Sequence, residues 1–303
     1  MSHIDLVLPN PLKPKVRYPK PRQRLTTVIA VNSKDAVILC ADSQETDEYA
    51  ELSTKQAVSK IHSVGRDGDE SQPIAAYSGA SPYIQELRHC IEQACQETEA
   101  KDYLEILKRA NRVYSRQFAE ARKEIGLQYI EDFSSYASAI FVGYEPRNKR
   151  ASIYVIQPPH PPQLVSEGPH RATIGTGGLF ASLLLSIAEV AMAKIDMGWL
   201  DFSWRVVAQV CYLVIARVMN FDGDSGLGAN LYRVNHGTGL WEGLNDEQIF
   251  PGHGEKGLEH RSTILGKSLY AEIPKKKLAA VLTQRGLLDA MPKQIRELLL
   301  TFL

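Results

Sequence analysis

The amino-acid sequence predicts an α+β fold in which helices cover both faces of paired β-sheets. Strand-like and helix-like segments alternate in blocks, in the order strands, two helices, strands, two helices, strands. The predicted helices carry apolar residues on two sides, which favours a layered fold with packing partners around each helix. The 303 residues contain no internal repeat and no dividing linker, so we expect one domain with extensions at both ends.

The predicted strands are short runs of apolar and β-branched residues, and the helices are longer segments with apolar residues at helical spacing. The strands are expected at residues 26–31, 37–42, 60–64, 73–77, 136–144, 152–157, a pair ending at Ile174, 229–234 and 239–242. The helices are expected at about residues 82–97, 101–125, 179–197, 202–220, 275–283 and 292–302. The polar stretch 43–59 carries no predicted element.

The composition argues against nucleic-acid and membrane partners. Lysine plus arginine and aspartate plus glutamate number 35 each, so the formal charge is zero and no global field attracts a polyanion. The longest apolar stretches, 179–193 and 206–219, are interrupted by polar side chains and fit buried helices better than membrane spans. The four cysteines form no CxxC pair, so we expect reduced core residues of a cytoplasmic protein.

Residues 1–25 lack the apolar core of a signal peptide. They contain five prolines and six lysines or arginines against one acid, Asp5, so we expect an extended segment that cannot fold alone. This segment is a candidate propeptide. A main domain is expected at residues 26–245, followed by a helical C-terminal extension at 246–303.

Thr26 and Asp42 are placed in the sequence so that they can meet in space. Thr26 begins the first predicted strand and Asp42 ends its hairpin partner, so both lie at the same end of the hairpin. A threonine hydroxyl becomes a nucleophile chiefly when its own α-amino group is freed to act as the base, which here requires removal of residues 1–25. The plainer interpretation is a hairpin whose first residue is β-branched.

The segment from Thr26 to Thr46 resembles the start of mature proteasome β-type subunits and of the bacterial proteasome-like protease HslV. Those chains begin with a threonine-rich strand and reach an acid sixteen residues later, as Asp42 follows Thr26 here. Further matches keep the family's order over residues 26–234, and they are Lys60, Ser78-Gly79, Gly175-Thr176-Gly177 and Asp222-Gly223-Asp224-Ser225-Gly226. The resemblance implies the N-terminal nucleophile (Ntn) hydrolase fold, a four-layer αββα sandwich of two antiparallel sheets covered by helices.

The resemblance implies a catalytic role for each matching position. Thr26 Oγ would attack a scissile carbonyl, and the freed α-amine would accept the hydroxyl proton directly or through water. Lys60, kept cationic by Asp42, would favour loss of that proton through its field. The main-chain N–H of Gly79 would donate to the tetrahedral oxyanion.

Further roles implied by the resemblance concern the amine and the substrate. Asp222, Ser225 and Thr176 would hold the N-terminal amine in position by hydrogen bonds. Thr46 resembles the position whose main chain pairs with an extended substrate strand. Tyr77 matches a position that lines the first specificity pocket in the family, and a tyrosine there would narrow the pocket or form its base. The family also implies a protein or peptide substrate, a ring-shaped homo-oligomer, a candidate ATPase partner and no cofactor.

The matching residues also have plainer interpretations. Lys60 alone would be a solvated lysine at a strand end, and Thr176 could simply satisfy a turn. A calcium loop beginning at Asp222 is weak because its twelfth position is Arg233 and not glutamate. A phosphate cradle at Gly175–Gly178 fits neither GxxxxGK[ST] nor GxGxxG, and the histidines form no HExxH pattern.

The sequence departs from the family just before the nucleophile. Self-cleaving precursors carry glycine there because the strained turn needs a backbone without a Cβ, whereas this chain carries Leu25. Two extra residues also separate Lys60 from Asp42. We expect a threonine-type endopeptidase. The alternatives are a non-catalytic assembly subunit in which Thr26 stays blocked, and an Ntn-type amidase that acts on small molecules.

Overall fold

The computed structural model describes residues 26–42, 44–49, 52–57, 59–65, 72–98, 102–124, 137–165, 168–193, 196–221 and 229–249. Within these residues the chain forms two five-stranded antiparallel sheets, a separate two-stranded hairpin and five α-helices. The expected helices at 275–283 and 292–302 lie outside the described residues.

The elements alternate in blocks, as the sequence predicts. The strands are β1 (Val28–Asn32), β2 (Ala36–Asp42), β3 (Gln44–Tyr49), β4 (Leu52–Ala57), β5 (Ile61–Ser63), β6 (Ile74–Gly79), β7 (Ala137–Glu145), β8 (Arg150–Ile156), β9 (Gln163–Leu164), β10 (Arg171–Ile174), β11 (Ala229–Asn235) and β12 (Trp241–Leu244). The helices are α1 (Ser81–Glu97), α2 (Tyr103–Glu124), α3 (Gly178–Ala193), α4 (Trp204–Phe221) and α5 (Asp246–Ile249), with a 3₁₀ turn at Trp199–Asp201.

The two large sheets have simple antiparallel orders. The first sheet runs β10-β1-β2-β11-β12 and the second runs β5-β6-β7-β8-β9. The predicted hairpin is confirmed, because β1 and β2 pair from Val28↔Ala41 to Asn32↔Val37. In the second sheet, β6 pairs with β7 from Ile74↔Val142 to Gly79↔Ala137.

Side chains alternate between the two faces of each strand, so the buried apolar residues form three hydrophobic clusters. In β1, Val28 and Ala30 face the second sheet, whereas Ile29 and Val31 pack under α3 and α4. A third cluster packs α1 and α2 onto the outer face of the second sheet. The result is the predicted four-layer αββα sandwich, in which each sheet is covered on both faces.

Burial on both faces explains why the strands read as continuous apolar runs. All seven residues of β2 are buried, including the terminal Asp42. The four cysteines are free, and Cys40, Cys90 and Cys211 are buried, as expected for reduced core residues. No helix among the described residues is both long enough and apolar enough to cross a membrane.

The polar stretch 43–59 differs from the prediction, because it contains the hairpin β3–β4. The two strands pair from Gln44↔Ala57 to Tyr49↔Leu52. Their sequences, QETDEY and LSTKQA, lack an alternating apolar face, so the pattern that identifies half-buried strands is missing. Pairing of the main chain therefore forms this hairpin without a sequence signal.

Candidate active site

Thr26 lies at the open end of the first sheet, just before β1, and is 3 % exposed. Lys60 precedes β5 and extends its ammonium group to the threonine, so that Lys60 Nζ lies 3.1 Å from Thr26 Oγ1. The same ammonium donates a hydrogen bond to Asp42 Oδ2 over 2.9 Å. A hydroxyl, a cation and a carboxylate therefore form one connected group at this end of the sandwich.

Asp42 is oriented by the β1–β2 hairpin. It is fully buried, and its Oδ1 accepts a 2.7 Å hydrogen bond from the main-chain N–H of Thr27. Its own N–H donates to Thr27 O over 3.1 Å. The carboxylate is therefore paired with a cation and a main-chain donor, which compensate a buried charge that would otherwise be costly.

Lys60 reaches this carboxylate from the other sheet. Its main-chain oxygen accepts a hydrogen bond from Tyr77 N–H over 3.2 Å, which joins it to β6. Its side chain is 11 % exposed, so the ion pair with Asp42 is largely shielded from solvent. The connected group is thus built across the two sheets, with Thr26 and Asp42 from the first and Lys60 from the second.

Two glycines at strand ends have positive φ angles, and one of them, Gly175, lies close to Thr26. Gly79 ends β6 with a φ of 134°, in a region that favours glycine, two residues before α1 begins. Gly175 follows β10 with a φ of 91°, and a Cβ there would overlap the main-chain oxygen of Thr26. The same Cβ would lie 2.8 Å from Ser78 Oγ. Thr26 and Ser78 therefore both approach Gly175.

The turn between β10 and α3 also packs against the start of the first sheet. A Cβ at Gly177 would overlap Thr27 Oγ1. The N–H of Gly178 donates to Gly175 O over 3.0 Å, which closes the turn. Thr176 Oγ1 lies between these glycines, is buried, and has no hydrogen-bond partner among the described residues. The turn thus holds an unused hydroxyl one residue from the glycine that contacts Thr26.

Tyr77 lies on the helix-covered side of the second sheet. It is 2 % exposed, and its ring centroid lies 6.2 Å from that of His62. Burial raises the pKa of Tyr77, and its hydroxyl has no partner among the residues that the structure describes. Burial, followed by the nearby charge of Arg88, lowers the pKa of His62. Two neutral rings therefore fill the space between the strand that follows Lys60 and the helices.

The remaining predicted residues are placed only in part. Thr46 lies in β3, opposite Lys55 in the hairpin register. Asp222 and Ser225 lie outside the described residues. Within the described ranges, no group of three or more histidine, cysteine, aspartate or glutamate side chains could hold a metal ion. The structure therefore brings Thr26, Asp42 and Lys60 into direct contact, with the Gly175 turn packed beside them.

Two contributors to this arrangement, Thr27 and Ser78, have no role assigned from the sequence, although Ser78 belongs to the matching pair Ser78-Gly79. Thr27 supplies the N–H that orients Asp42, and Ser78 brings a hydroxyl beside Gly175. Neither role has a recognisable motif. A main-chain N–H occurs at nearly every position, and the approach of Ser78 depends on how the two sheets pack.

Comparisons with known proteins agree with this fold. The family model described as proteasome subunit matches residues 24–163 of the chain. That match spans the hairpin with Thr26 and Asp42, the lysine Lys60 and the turn at Gly79. A comparison with curated protein sequences found no match.

Solved structures with this fold include three of Anbu. A mutant from Hyphomicrobium sp. is 14 % identical with a TM-score of 0.55, and the alignment covers 82 % of this chain and 98 % of that one. Anbu from Yersinia bercovieri, described as an ancestral β-subunit, is 11 % identical with a TM-score of 0.55, covering 82 % and 97 %. The helical assembly of the Anbu complex from Pseudomonas aeruginosa gives 12 % identity and a TM-score of 0.59, with coverage of 82 % and 97 %.

At these identities the likeness to Anbu concerns the fold. The family match covers the segment that carries Thr26, Asp42, Lys60 and Gly79. The described fold adds the second half of the αββα sandwich, with α3 and α4 on the first sheet. Residues 24–163 therefore match the proteasome subunit model, as the order of the motifs predicts, and the described sandwich shares the fold of the Anbu structures.

Proposed function

We propose that this protein is a threonine-type endopeptidase in which Thr26 becomes the N-terminal nucleophile after removal of residues 1–25. The observation that carries the proposal is the contact of Lys60 Nζ with Thr26 Oγ1 at 3.1 Å and with the buried Asp42 at 2.9 Å. A cation fixed beside a hydroxyl stabilises the negative charge that develops on the oxygen as it attacks.

The reaction would begin with attack of Thr26 Oγ1 on the scissile carbonyl carbon. The freed α-amine of Thr26 would take the hydroxyl proton, since no other base is needed when the nucleophile is N-terminal. The amine needs acceptors that hold it in place, and Thr176 Oγ1 is a buried acceptor that has no partner among the described residues. Asp222 and Ser225 are assigned to the same task by the family resemblance.

The oxyanion and the substrate would use the main chain. Gly79 N–H is proposed as the oxyanion donor, and the positive φ of Gly79 supports a conformation that a side chain would disfavour. The main chain of Thr46 in β3 is proposed to pair with an extended peptide. Tyr77 is proposed to close the pocket for the side chain before the scissile bond, because its ring is buried beside His62.

We extend the proposal to organisation in the cell. Residues 1–25 would be a propeptide, 26–245 the hydrolase domain and 246–303 an extension. A homo-oligomer is supported by the Anbu structure from Pseudomonas aeruginosa, which is described as a helical assembly. A ring, an ATPase partner and a cytoplasmic location remain expectations from the family resemblance and from the unpaired cysteines.

A second candidate function is a non-catalytic assembly subunit. Leu25 favours it, because the residue before a self-cleaving threonine normally needs the freedom of glycine. In that case Thr26 would stay acylated by Leu25, with no α-amine to act as base. A small-molecule amidase is a third candidate, because one Ntn layout serves different amides.

Intact-mass analysis of the purified protein separates the first two candidates. The peptidase should lose residues 1–25, and the shortened chain should gain the mass of one threonine-directed electrophile such as a peptide epoxyketone. Thr26→Ala should prevent labelling and abolish peptide hydrolysis while the protein stays folded. A full-length chain that ignores the electrophile would contradict the peptidase proposal. Hydrolysis of acyl-amides without hydrolysis of peptides would favour the amidase.

A further inference from the structure

Ser78 brings a second hydroxyl into the space beside Thr26. In β6, Ile74 and Ala76 belong to the core between the two sheets, so the alternation of side chains directs Ser78 to the same space. The same rule turns Thr26 toward that space from the first sheet. Both residues lie close to Gly175. A Cβ built on Gly175 would overlap the main-chain oxygen of Thr26 and would lie 2.8 Å from Ser78 Oγ.

The side chain of Ser78 is slightly more exposed than its neighbours on the same face of β6. Ser78 is 4 % exposed, whereas Ile74 and Ala76 on the same face are 1 % and 0 % exposed. Buried hydroxyls are normally paired, and a water molecule is the common partner where polar groups converge. The position is therefore suited to a bound water beside Thr26.

The neighbouring residue decides what such a water could do. Gly79 follows Ser78 directly and is the proposed oxyanion donor. An acyl group on Thr26 Oγ1 that pointed its carbonyl oxygen at Gly79 N–H would bring its carbonyl carbon toward Ser78, the preceding residue of β6. We propose that Ser78 is a positioning residue that holds the hydrolytic water for deacylation. This inference rests on the proposed function of Thr26.

The step balances without any further reactant. The water oxygen forms a bond to the ester carbonyl carbon, and the bond from that carbon to Thr26 Oγ1 breaks. A proton passes from the water to the α-amine of Thr26 and from there to Oγ1. The products are a peptide carboxylic acid and the regenerated threonine. Ser78 accepts a hydrogen bond from the water and is unchanged at the end.

The test compares Ser78→Ala with Ser138→Ala in protein that has lost residues 1–25. Ser138 is a matched control because it lies opposite Ser78 in the β6–β7 register, is 5 % exposed and faces the same space. It is one strand further from Lys60, since β7 lies across β6 from β5. Each protein is mixed with a peptidyl nitrophenyl ester, whose good leaving group makes deacylation rate-limiting.

Ser78→Ala should keep the initial burst of nitrophenol and lose steady-state turnover by about tenfold, the equivalent of one lost hydrogen bond to the water. Intact mass after acid quench should show more acyl-enzyme than in the wild type. Hydroxylamine, a stronger nucleophile than water, should restore release. Ser138→Ala should match the wild type in burst, turnover and acyl-enzyme fraction.

Two results would overturn the assignment of Ser78 alone. One is a Ser78→Ala variant with a normal burst and normal steady-state turnover. The other is a variant in which the rate of the burst and the rate of steady-state turnover fall by the same factor. Thermal unfolding of both serine variants checks that a loss does not come from unfolded protein. A wild-type protein that forms neither a burst nor an acyl-enzyme contradicts the nucleophile proposal itself, and the Ser78 assignment fails with it.

Discussion

The main-chain N–H of Thr27 donates a 2.7 Å hydrogen bond to Asp42 Oδ1, while Oδ2 of the same carboxylate accepts from Lys60. The residue next to the proposed nucleophile thus orients the acid that pairs with the lysine. Because Asp42 is fully buried, its charge depends on both donors. Stability and proposed chemistry therefore share the same contacts at this end of the sandwich.

Lys60→Met should destabilise the fold, because it removes the Lys60 ammonium from the buried carboxylate of Asp42. We expect the free energy of unfolding to fall by about 3 kcal/mol, as for other buried pairs that lose one partner. The double variant Lys60→Met/Asp42→Asn should recover most of this loss, because an asparagine Oδ1 can still accept from Thr27 N–H. Urea unfolding of the wild type, both single variants and the double variant gives the coupling. If the losses of the two single variants simply added in the double variant, a direct interaction between Lys60 and Asp42 would be contradicted.

Gly175→Ala should destabilise the protein strongly. Its φ of 91° disfavours a side chain, and the new Cβ would overlap the main-chain oxygen of Thr26. We expect a loss of at least about 2 kcal/mol, from backbone strain and overpacking together. Gly178→Ala is the matched control, because its nearest neighbouring atom lies 3.6 Å from the new Cβ. Equal stability of the two variants by denaturant unfolding would show that the turn can move away.

Tyr77→Phe and Tyr77→Ala should behave differently. The hydroxyl of Tyr77 has no partner among the described residues, so its removal should leave stability unchanged or slightly higher. Truncation to alanine should cost about 3–5 kcal/mol by leaving a cavity. If the ring closes the specificity pocket, Tyr77→Ala should also raise hydrolysis of peptides with large aromatic residues before the scissile bond, relative to alanine. A peptide panel on both variants measures this ratio, and an unchanged preference would place the pocket elsewhere.

His236 ties the far end of the sandwich together in its neutral form. Its Nδ1 accepts from Ala151 N–H over 3.2 Å, and its Nε2 lies 3.2 Å from Ser33 O, to which it can donate. Burial, followed by the charge of Arg150, lowers the pKa of His236 from 6.5 to about 4. Asp35 and the Ser33 carbonyl act in the opposite direction and are outweighed.

Stability should therefore fall as the pH is lowered from about 6.5 toward 4, the window in which the unfolded chain binds a proton that the folded His236 refuses. Above pH 6.5 this contribution is fully present and constant. Allowing for partial solvent screening, we expect a loss of about 1–2 kcal/mol across the window. Urea midpoints at pH 7 and pH 5 measure the loss. His236→Asn should be less stable at pH 7 and should show a smaller further loss at pH 5, whereas an identical pH dependence would exclude His236 as the cause.

The helices and most strands could be predicted because their signals are local. The apolar run of β2 and the helical spacing in α2 are each contained in one continuous segment, and burial on both faces makes β2 strongly apolar. The hairpin β3–β4 could not be predicted, because its polar strands pair through the main chain. Helix ends shifted by a few residues, as for α3, which ends at Ala193 and not at Met197.

By itself the sequence determined the layered α+β fold, the position of Thr26 and Asp42 at the same end of one hairpin, and the candidate roles of Asp42 and Lys60. These follow from local periodicity and from motifs that keep their order along the chain. The tertiary structure decided which groups contact one another: Lys60 from the second sheet reaches across to Thr26 and Asp42 on the first, and Ser78 and Gly175 converge beside the threonine. The physical reason is that these contacts join residues far apart in the chain, so only the packing of the two sheets sets their distances.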